Sequence, residues 1–372
     1  MIFRTFTSPA QQRVFEALEH LPAGSIPAAS LLPDITDLSQ GGLLDQANEG
    51  RTLLGLACGL GLADWVKALI KAGADPNATD PEGNTPFHLL ASYHHPELAP
   101  LLLKASADPQ AKNHAGQTPM DLAVGRHAIR LLDALADHLT PAPEYPPEFD
   151  RFTDPAIAGF LRHLCWRAQR LGVEFRLVDA PSLPYNGNDQ VPVSGFFVEN
   201  PRPVLGVAIG KDPEEWLEVL AHESSHMDQW AQGCAAWKNN VMPDGREAVD
   251  WIDDWISGKE FTPADLGQAF AAAKDVELDC ERRTLSKIRS FGLPVSTEQY
   301  AQRANAYVHF HAQVAKTRKW NETGKAPYQI EDVWSKAPTE MVDEPTADLT
   351  AAYERFWPSR PAPQLKLARR RP

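Results

Sequence analysis

Gly83-Asn84-Thr85-Pro86-Phe87-His88 lies 33 residues after Gly50-Arg51-Thr52-Leu53-Leu54 and 33 before Gly116-Gln117-Thr118-Pro119-Met120-Asp121. A second landmark keeps that period. Ala72-Gly73-Ala74-Asp75-Pro76-Asn77 returns as Ala105-Ser106-Ala107-Asp108-Pro109-Gln110. Between the landmarks, Trp65, Val66, Leu69 and Ile70, and then Leu98, Leu101, Leu102 and Leu103, recur at helical spacing. A helix pair of this length leaves its apolar face wet unless a neighbour covers it, so the units must stack.

Over residues 49–139 these motifs resemble ankyrin repeats, in the T-P-L-H position and in the G-A-D-P-N loop. The resemblance implies an all-α solenoid of two antiparallel helices and a turn per repeat, and a surface that binds a protein partner. Leu53-Leu54-Gly55 departs from T-P-L-H in the first repeat, and Ser106 replaces the loop glycine in the second. Residues 1–48 contain a helical stretch, Gln11 to His20, read as a degenerate capping segment.

The chain has 372 residues, room for two ordinary domains. Its hydrophobic share of 43% and charged share of 23% are those of a soluble globular protein. No apolar run is long enough to cross a bilayer, so no membrane partner is expected. The N-terminus has no stretch of signal-peptide character, and the expectation is a protein made and folded in the cytoplasm, with delivery to another cell left open. A net charge of −13 argues against a nucleic-acid partner. Cys58, Cys165, Cys234 and Cys280 show no C-x-x-C spacing and read as buried structural thiols.

Thr140-Pro141-Ala142-Pro143-Glu144-Tyr145-Pro146-Pro147 ends helix and strand alike, because proline fixes φ and removes donors. It makes 140–150 the predicted linker, ahead of an α+β domain over 151–357 and a disordered basic, proline-rich tail over 358–372. Within that domain a helix is predicted over about Asp154–Leu171. Strands follow over Val173–Val178, Gly195–Val198 and Val204–Ile209. Tyr185-Asn186-Gly187 reads as a turn. Asp212-Pro213-Glu214-Glu215 is a helix start, running to about Gln232. Further helices are predicted over about Pro263–Ser290, stopped by Gly292, and Thr297–Arg318.

The Asp212 helix carries His222-Glu223-Ser224-Ser225-His226, an H-E-x-x-H pattern. Residues four apart project from one face on successive turns, so both imidazoles can bind one Zn2+. Glu223 stands between them as general base for a water. A third ligand is usual. On the Pro263 helix, Glu277 and Glu281 fall on or beside the apolar stripe Phe270, Ala273, Cys280, Ile288, where an unpaired carboxylate is costly. Glu277 is the expected zinc ligand, and Glu281 is expected to hydrogen-bond a ligand histidine. Asp279 and Glu281 are rival ligands, and charge pairing of Glu277 with Lys274, Arg282 or Arg283 is the plain alternative. An electrophile beside zinc is sought among Tyr307, His309, His311 and Tyr328, with Tyr307 and His311 preferred.

H222-E223-x-x-H226 with E277-x-x-x-E281 resembles the gluzincin metallopeptidases, in which a glutamate on a later helix completes the metal site. The second acid is Glu281 where aspartate is common in that group, and the connection from His226 to Glu277 is long. The segments His222–Trp230 and Glu277–Arg283 also resemble an uncharacterised phage or bacterial metallopeptidase family. The resemblance implies a zincin-like domain hydrolysing a protein or peptide substrate, with the strand Val204–Ile209 pairing with extended substrate. An inactive zincin-like domain in an interaction protein, and a zinc hydrolase acting on a non-peptide bond, stand as the other readings.

Overall fold

The computed structural model describes residues 6–19, 26–48, 50–123, 125–135, 138–139, 145–185, 188–320 and 325–358. Most of the linker's first half, Asn186 and Gly187 of the expected turn, and the basic tail lie outside the described residues. The chain divides into two compact units. One runs to Arg170 and includes Ser290–Gly292; the other holds Leu171–Arg289 and the residues from Leu293 on.

The first unit is helical: α1 (Pro9–Glu19), α2 (Leu32–Gln40), α3 (Leu53–Gly59), α4 (Ala63–Lys71), α5 (Pro86–Ser92), α6 (Ala99–Lys104), α7 (Pro119–Leu122), α8 (Gly125–Leu135) and α9 (Pro155–Leu171). The periodic motif makes the helix starts. Thr52 accepts a bond from Gly55 N, while Thr85 with His88 and Thr118 with Asp121 form capping boxes ahead of a proline at the first helical position. The periodic glycines Gly50, Gly83 and Gly116 hold φ of 76°, 80° and 75°, a left-handed turn that glycine adopts freely. Ser106 adopts φ 64° where the preceding repeat has Gly73.

Polar bonds pass from repeat to repeat. His88 Nε2 meets Gln117 O at 2.9 Å, Asp108 N donates to Asn77 Oδ1 at 2.7 Å, and His114 N donates to Glu82 O at 3.0 Å. One core, including Val14, Ile35, Leu69, Phe87, Leu102 and Leu131, threads the stack from α1 onward. It also includes Trp166 of α9, fully buried. Gly159 lies so close to Ile129 that a Cβ would stand 2.4 Å from its Cδ1. The compact unit therefore ends at Arg170, beyond the proline-rich segment chosen from sequence: α9 covers the apolar side that the last repeat would leave wet.

In the second unit β1 (Glu174–Val178), β5 (Val204–Ala208) and β4 (Gly195–Val198) form a sheet in that order, β5 parallel to β1 and antiparallel to β4. β2 (Leu183–Tyr185) and β3 (Asn188–Val193) form a separate antiparallel hairpin around the expected turn. β5 is buried along its whole length, as a central strand must be. It is paired on both sides, so it has no edge to offer a substrate. That corrects the sequence expectation: β1 and β4 are the edge strands, and β4 is the one packed on α10.

α10 (Pro213–Gln232) packs on β4 and β5. It begins as read, with Asp212 accepting from Glu214 N and Pro213 following, and Gly233 ends it at φ 54°. α11 (Ala235–Asn239), α12 (Ala248–Ile256), α13 (Pro263–Phe291), α14 (Thr297–Val308), α15 (His311–Thr317), α16 (Glu331–Trp334) and α17 (Ala347–Phe356) complete the unit. The single helix expected over Thr297–Arg318 is two. The chain tightens to i→i−3 bonds at Phe310 and Ala312, seating Phe310 against Tyr353 and Trp357 at 5.5 and 4.6 Å between ring centres. Tertiary packing, with neither proline nor glycine at the break, sets this interruption.

Candidate metal centre

α10 and α13 meet through small polar residues. Ser224 and Ser225, the middle of the H-E-x-x-H pattern, are fully buried. Thr284 donates to Ser225 Oγ at 3.1 Å and Lys287 Nζ to Ser224 Oγ at 2.9 Å. This packing aims His222 and His226 at Glu277. The rings are 4.8 Å apart at 86°. His222 Nε2 lies 3.8 Å from Glu277 Oε2, and His226 Nε2 lies 3.9 Å from Glu277 Oε1.

The other ring nitrogens are held by acceptors. His226 Nδ1 is 2.8 Å from Gln229 Oε1, and the Gln229 amide nitrogen donates to Val276 O and Asp279 Oδ2. With its nitrogen so committed, Gln229 presents only its oxygen, and His226 Nδ1 must donate. His222 Nδ1 is 3.3 Å from Glu281 Oε1. Glu281 Oε2 accepts from Tyr300, whose ring is buried beside it. Both Nε2 atoms are left facing the Glu277 carboxylate.

Glu277 Oε2 is buried without a hydrogen-bond partner. The cations that would make Glu277 an ordinary surface acid are engaged elsewhere: Lys274 with Glu344, Arg282 with Asp343 and Arg283 with Asp279, at 2.9, 2.9 and 2.7 Å. Asp279, a rival ligand, is thus engaged by Arg283 and the Gln229 amide. Burial alone would lower the pKa of both imidazoles. Cys280 and Glu281 overcome it at His222, which is held well above its ordinary value. At His226, Cys280 and Glu277 push the pKa up to about 10. The surroundings of the two rings call for positive charge.

The donors fit zinc. Nitrogen and oxygen ligands at about 2.0–2.2 Å on a tetrahedron stand roughly 3.4 Å apart, so 3.8 and 3.9 Å require only a small closure. A buried carboxylate with one orphaned oxygen, each of its oxygens facing one imidazole Nε2, is an arrangement a cation would satisfy. Two donor sets have their ligand atoms within 4.8 Å of one another: His222 with Glu277 and Glu281, and His222 and His226 with Cys280. Its Sγ stands 3.6 Å from His222 Nδ1, on the side of the ring already facing Glu281, and it donates to His222 O.

Glu223 is half-buried and lines a cavity of about 290 Å3 with His222 and Glu281. The edge strand β4 passes close above it. A Cβ on Gly195 would stand 2.5 Å from Val219 Cγ1 and 3.2 Å from Glu223 Cγ, so glycine is what lets β4 approach. Tyr307 lines the same cavity, and Glu277, reinforced by burial and Glu281, raises its pKa well above the ordinary value. Tyr328 lies 6.0 Å from it, ring centre to ring centre.

His311 is not at the cavity wall. Its Nδ1 bonds Val308 O at 2.9 Å and its ring backs Tyr307 at 5.9 Å. His309 is buried, and burial and Lys274 press its pKa down to about 4. Sequence reasoning missed Gln229, Cys280 and Tyr300 as parts of the cluster. The signal for Tyr300 was the stripe Tyr300, Arg303, Ala304, Tyr307, which keeps one face of α14 on the cavity.

Comparison with known proteins identifies one class. Residues 49–81 match the ankyrin repeat and residues 69–123 match a model of multiple ankyrin repeats, so this stretch is an ankyrin-repeat array. Human and mouse Rabankyrin-5 are each 43% identical to this chain over 51 residues, 14% of this chain and 4% of theirs. The chain thus matches only a small part of the length of those relatives. The array supports a protein-interaction module. No described helix is long and apolar enough to cross a membrane.

Proposed function

We propose that the second unit is a zinc-dependent peptidase and that the ankyrin repeats recognise a protein, either its substrate or a docking partner. The observation that carries this reading is the Glu277 carboxylate facing both imidazoles, Oε2 towards His222 Nε2 and Oε1 towards His226 Nε2, with Oε2 unpartnered and both Nδ1 atoms facing acceptors. Those three side chains would hold Zn2+. Bound there, the metal supplies Lewis acidity, polarising a scissile carbonyl and easing deprotonation of water.

The chain's own residues provide the rest. Glu281 and Gln229 keep the imidazoles in the tautomer that exposes Nε2. Glu223 takes a proton from the attacking water and returns it to the amine nitrogen as the C–N bond breaks. Tyr307, kept protonated by Glu277 and burial, donates a hydrogen bond to the oxygen on which negative charge develops. The free edge of β4 offers backbone groups to an extended peptide.

The test is Glu223→Gln in the full chain, with zinc measured by elemental analysis and turnover by mass spectrometry of a peptide mixture. The expected result is one zinc per chain in both forms and a loss of turnover of about 10²–10⁴-fold in the variant. Equal turnover would remove the general-base role. A parent chain that binds no zinc, with melting unchanged by a chelator, would instead identify an interaction protein with an inactive domain.

A further inference from the structure

The cavity at the metal cluster continues past Glu223. It runs one turn back along α10 to Val219 and Glu218, and along α14 from Tyr307 to Arg303. At its far end Arg303 Nη2 donates to Glu218 Oε1. The two side chains are 24% and 18% exposed, and this is the one hydrogen bond either side chain makes among the described residues. Arg303 Nε and Nη1 and Glu218 Oε2 are left over. A second hollow shares this pair and Tyr328, and reaches Ser194 immediately before β4. The pair therefore shares a hollow with the start of β4.

We propose that the Arg303–Glu218 pair determines the specificity of this site, selecting a substrate whose side chain next to the reacting bond ends in a carboxamide, as in glutamine or asparagine. This rests on the peptidase reading. The pair presents a donor and an acceptor side by side, and a carboxamide presents an acceptor and a donor in return. A carboxylate would face Glu218 and an ammonium would face Arg303. An aliphatic side chain would strip water from both charges and return no hydrogen bond. Glu218 already feels that cost: burial pushes its pKa up to about 7 despite Arg303. Val219, Ala304, Tyr307 and Tyr328 line the same hollow and give the approach apolar surface.

The first arm measures binding without turnover. Saturation-transfer NMR on the full-length Glu223→Gln chain compares N-acetyl methylamides of glutamine, glutamate, lysine and norleucine. The glutamine compound is expected to give the strongest signal. Adding Glu218→Gln should move the preference to glutamate, and adding Arg303→Met should move it to lysine. If Arg303→Met does not fold, Arg303→Lys keeps the charge without the planar fork and should weaken the glutamine preference.

The second arm maps bonds cut in a proteome-derived peptide mixture by the zinc-loaded wild-type chain, where glutamine and asparagine should be enriched beside the cut. Equal signals for the four compounds, a charged compound leading in the parent, or an order indifferent to the variants would overturn the proposal. So would cleavage with no residue preference, which leaves the peptidase reading standing. The expected binding order without any cleaved peptide would uphold the pair and refute the peptidase.

Discussion

The two units earn their structures differently. In the ankyrin unit each helix start, turn and apolar face recurs every 33 residues, and neighbours in sequence are neighbours in space. In the second unit the cluster joins His222 to Glu277, 55 positions on, and depends on how α13 lies against α10. Local repetition makes a fold readable and leaves its partner open. Long-range convergence hides the arrangement but concentrates the chemistry.

The largest effect expected from that contrast falls on metal binding. Glu277→Ala should weaken zinc by more than the roughly 10–100-fold that losing an outer partner costs, while Glu281→Gln should stay within that range. Chelator competition checks it, and the reverse order would make Glu281 the ligand. Neither change should alter the melting of the repeats. Phe87→Ala should do the opposite. Phe87 is fully buried in the stack, and its loss should destabilise that unit by about 3–5 kcal/mol while leaving zinc affinity unchanged. A parallel fall in zinc affinity would show that the units are one energetic body.

Burial also lowers the pKa of His88 in the repeats, and the larger pH effect should mark the second unit. The His309 pKa is about 4 in the folded chain against 6.5 as the ordinary value. Between those values the unfolded chain binds more protons. The stabilisation is therefore complete above pH 6.5 and is lost as pH falls towards 4, by about 3 kcal/mol. Denaturant titrations of the metal-free chain and of His309→Leu should differ by that pH dependence; equal slopes against pH would contradict it. The smallest effect belongs to the repeats: Ser106→Gly, relieving φ 64°, should raise their stability by up to about 1 kcal/mol, read from the same titrations.

The same contrast explains what the sequence disclosed. The repeats were legible because their signals are local: Thr-Pro caps, periodic glycines and one apolar face. The start of α10 was legible for the same reason, through Asp212-Pro213. Helical spacing put His222 and His226 on one face, with Glu223 between them in sequence, and paired Glu277 with Glu281. Nothing local disclosed that α9 belongs with the repeats, because Trp166 and Gly159 declare their partners only in the packed unit. Strand order was equally hidden: Val204–Ala208 reads as a strand in any position, and only pairing on both sides makes it central. Gln229 reads as a solvated helix residue until Val276 and Asp279 capture its amide. The break before His311 follows the seat of Phe310 among residues about 45 positions away, and it leaves His311 behind Tyr307 and off the cavity wall.

X-ray absorption at the zinc edge of the full chain tests the central claim most directly. The account predicts one zinc per chain in a shell of nitrogen and oxygen alone at about 2.0–2.2 Å, from His222, His226 and Glu277. A sulfur scatterer at about 2.3 Å would place Cys280 in the shell instead, and a chain without stoichiometric zinc would contradict the site altogether.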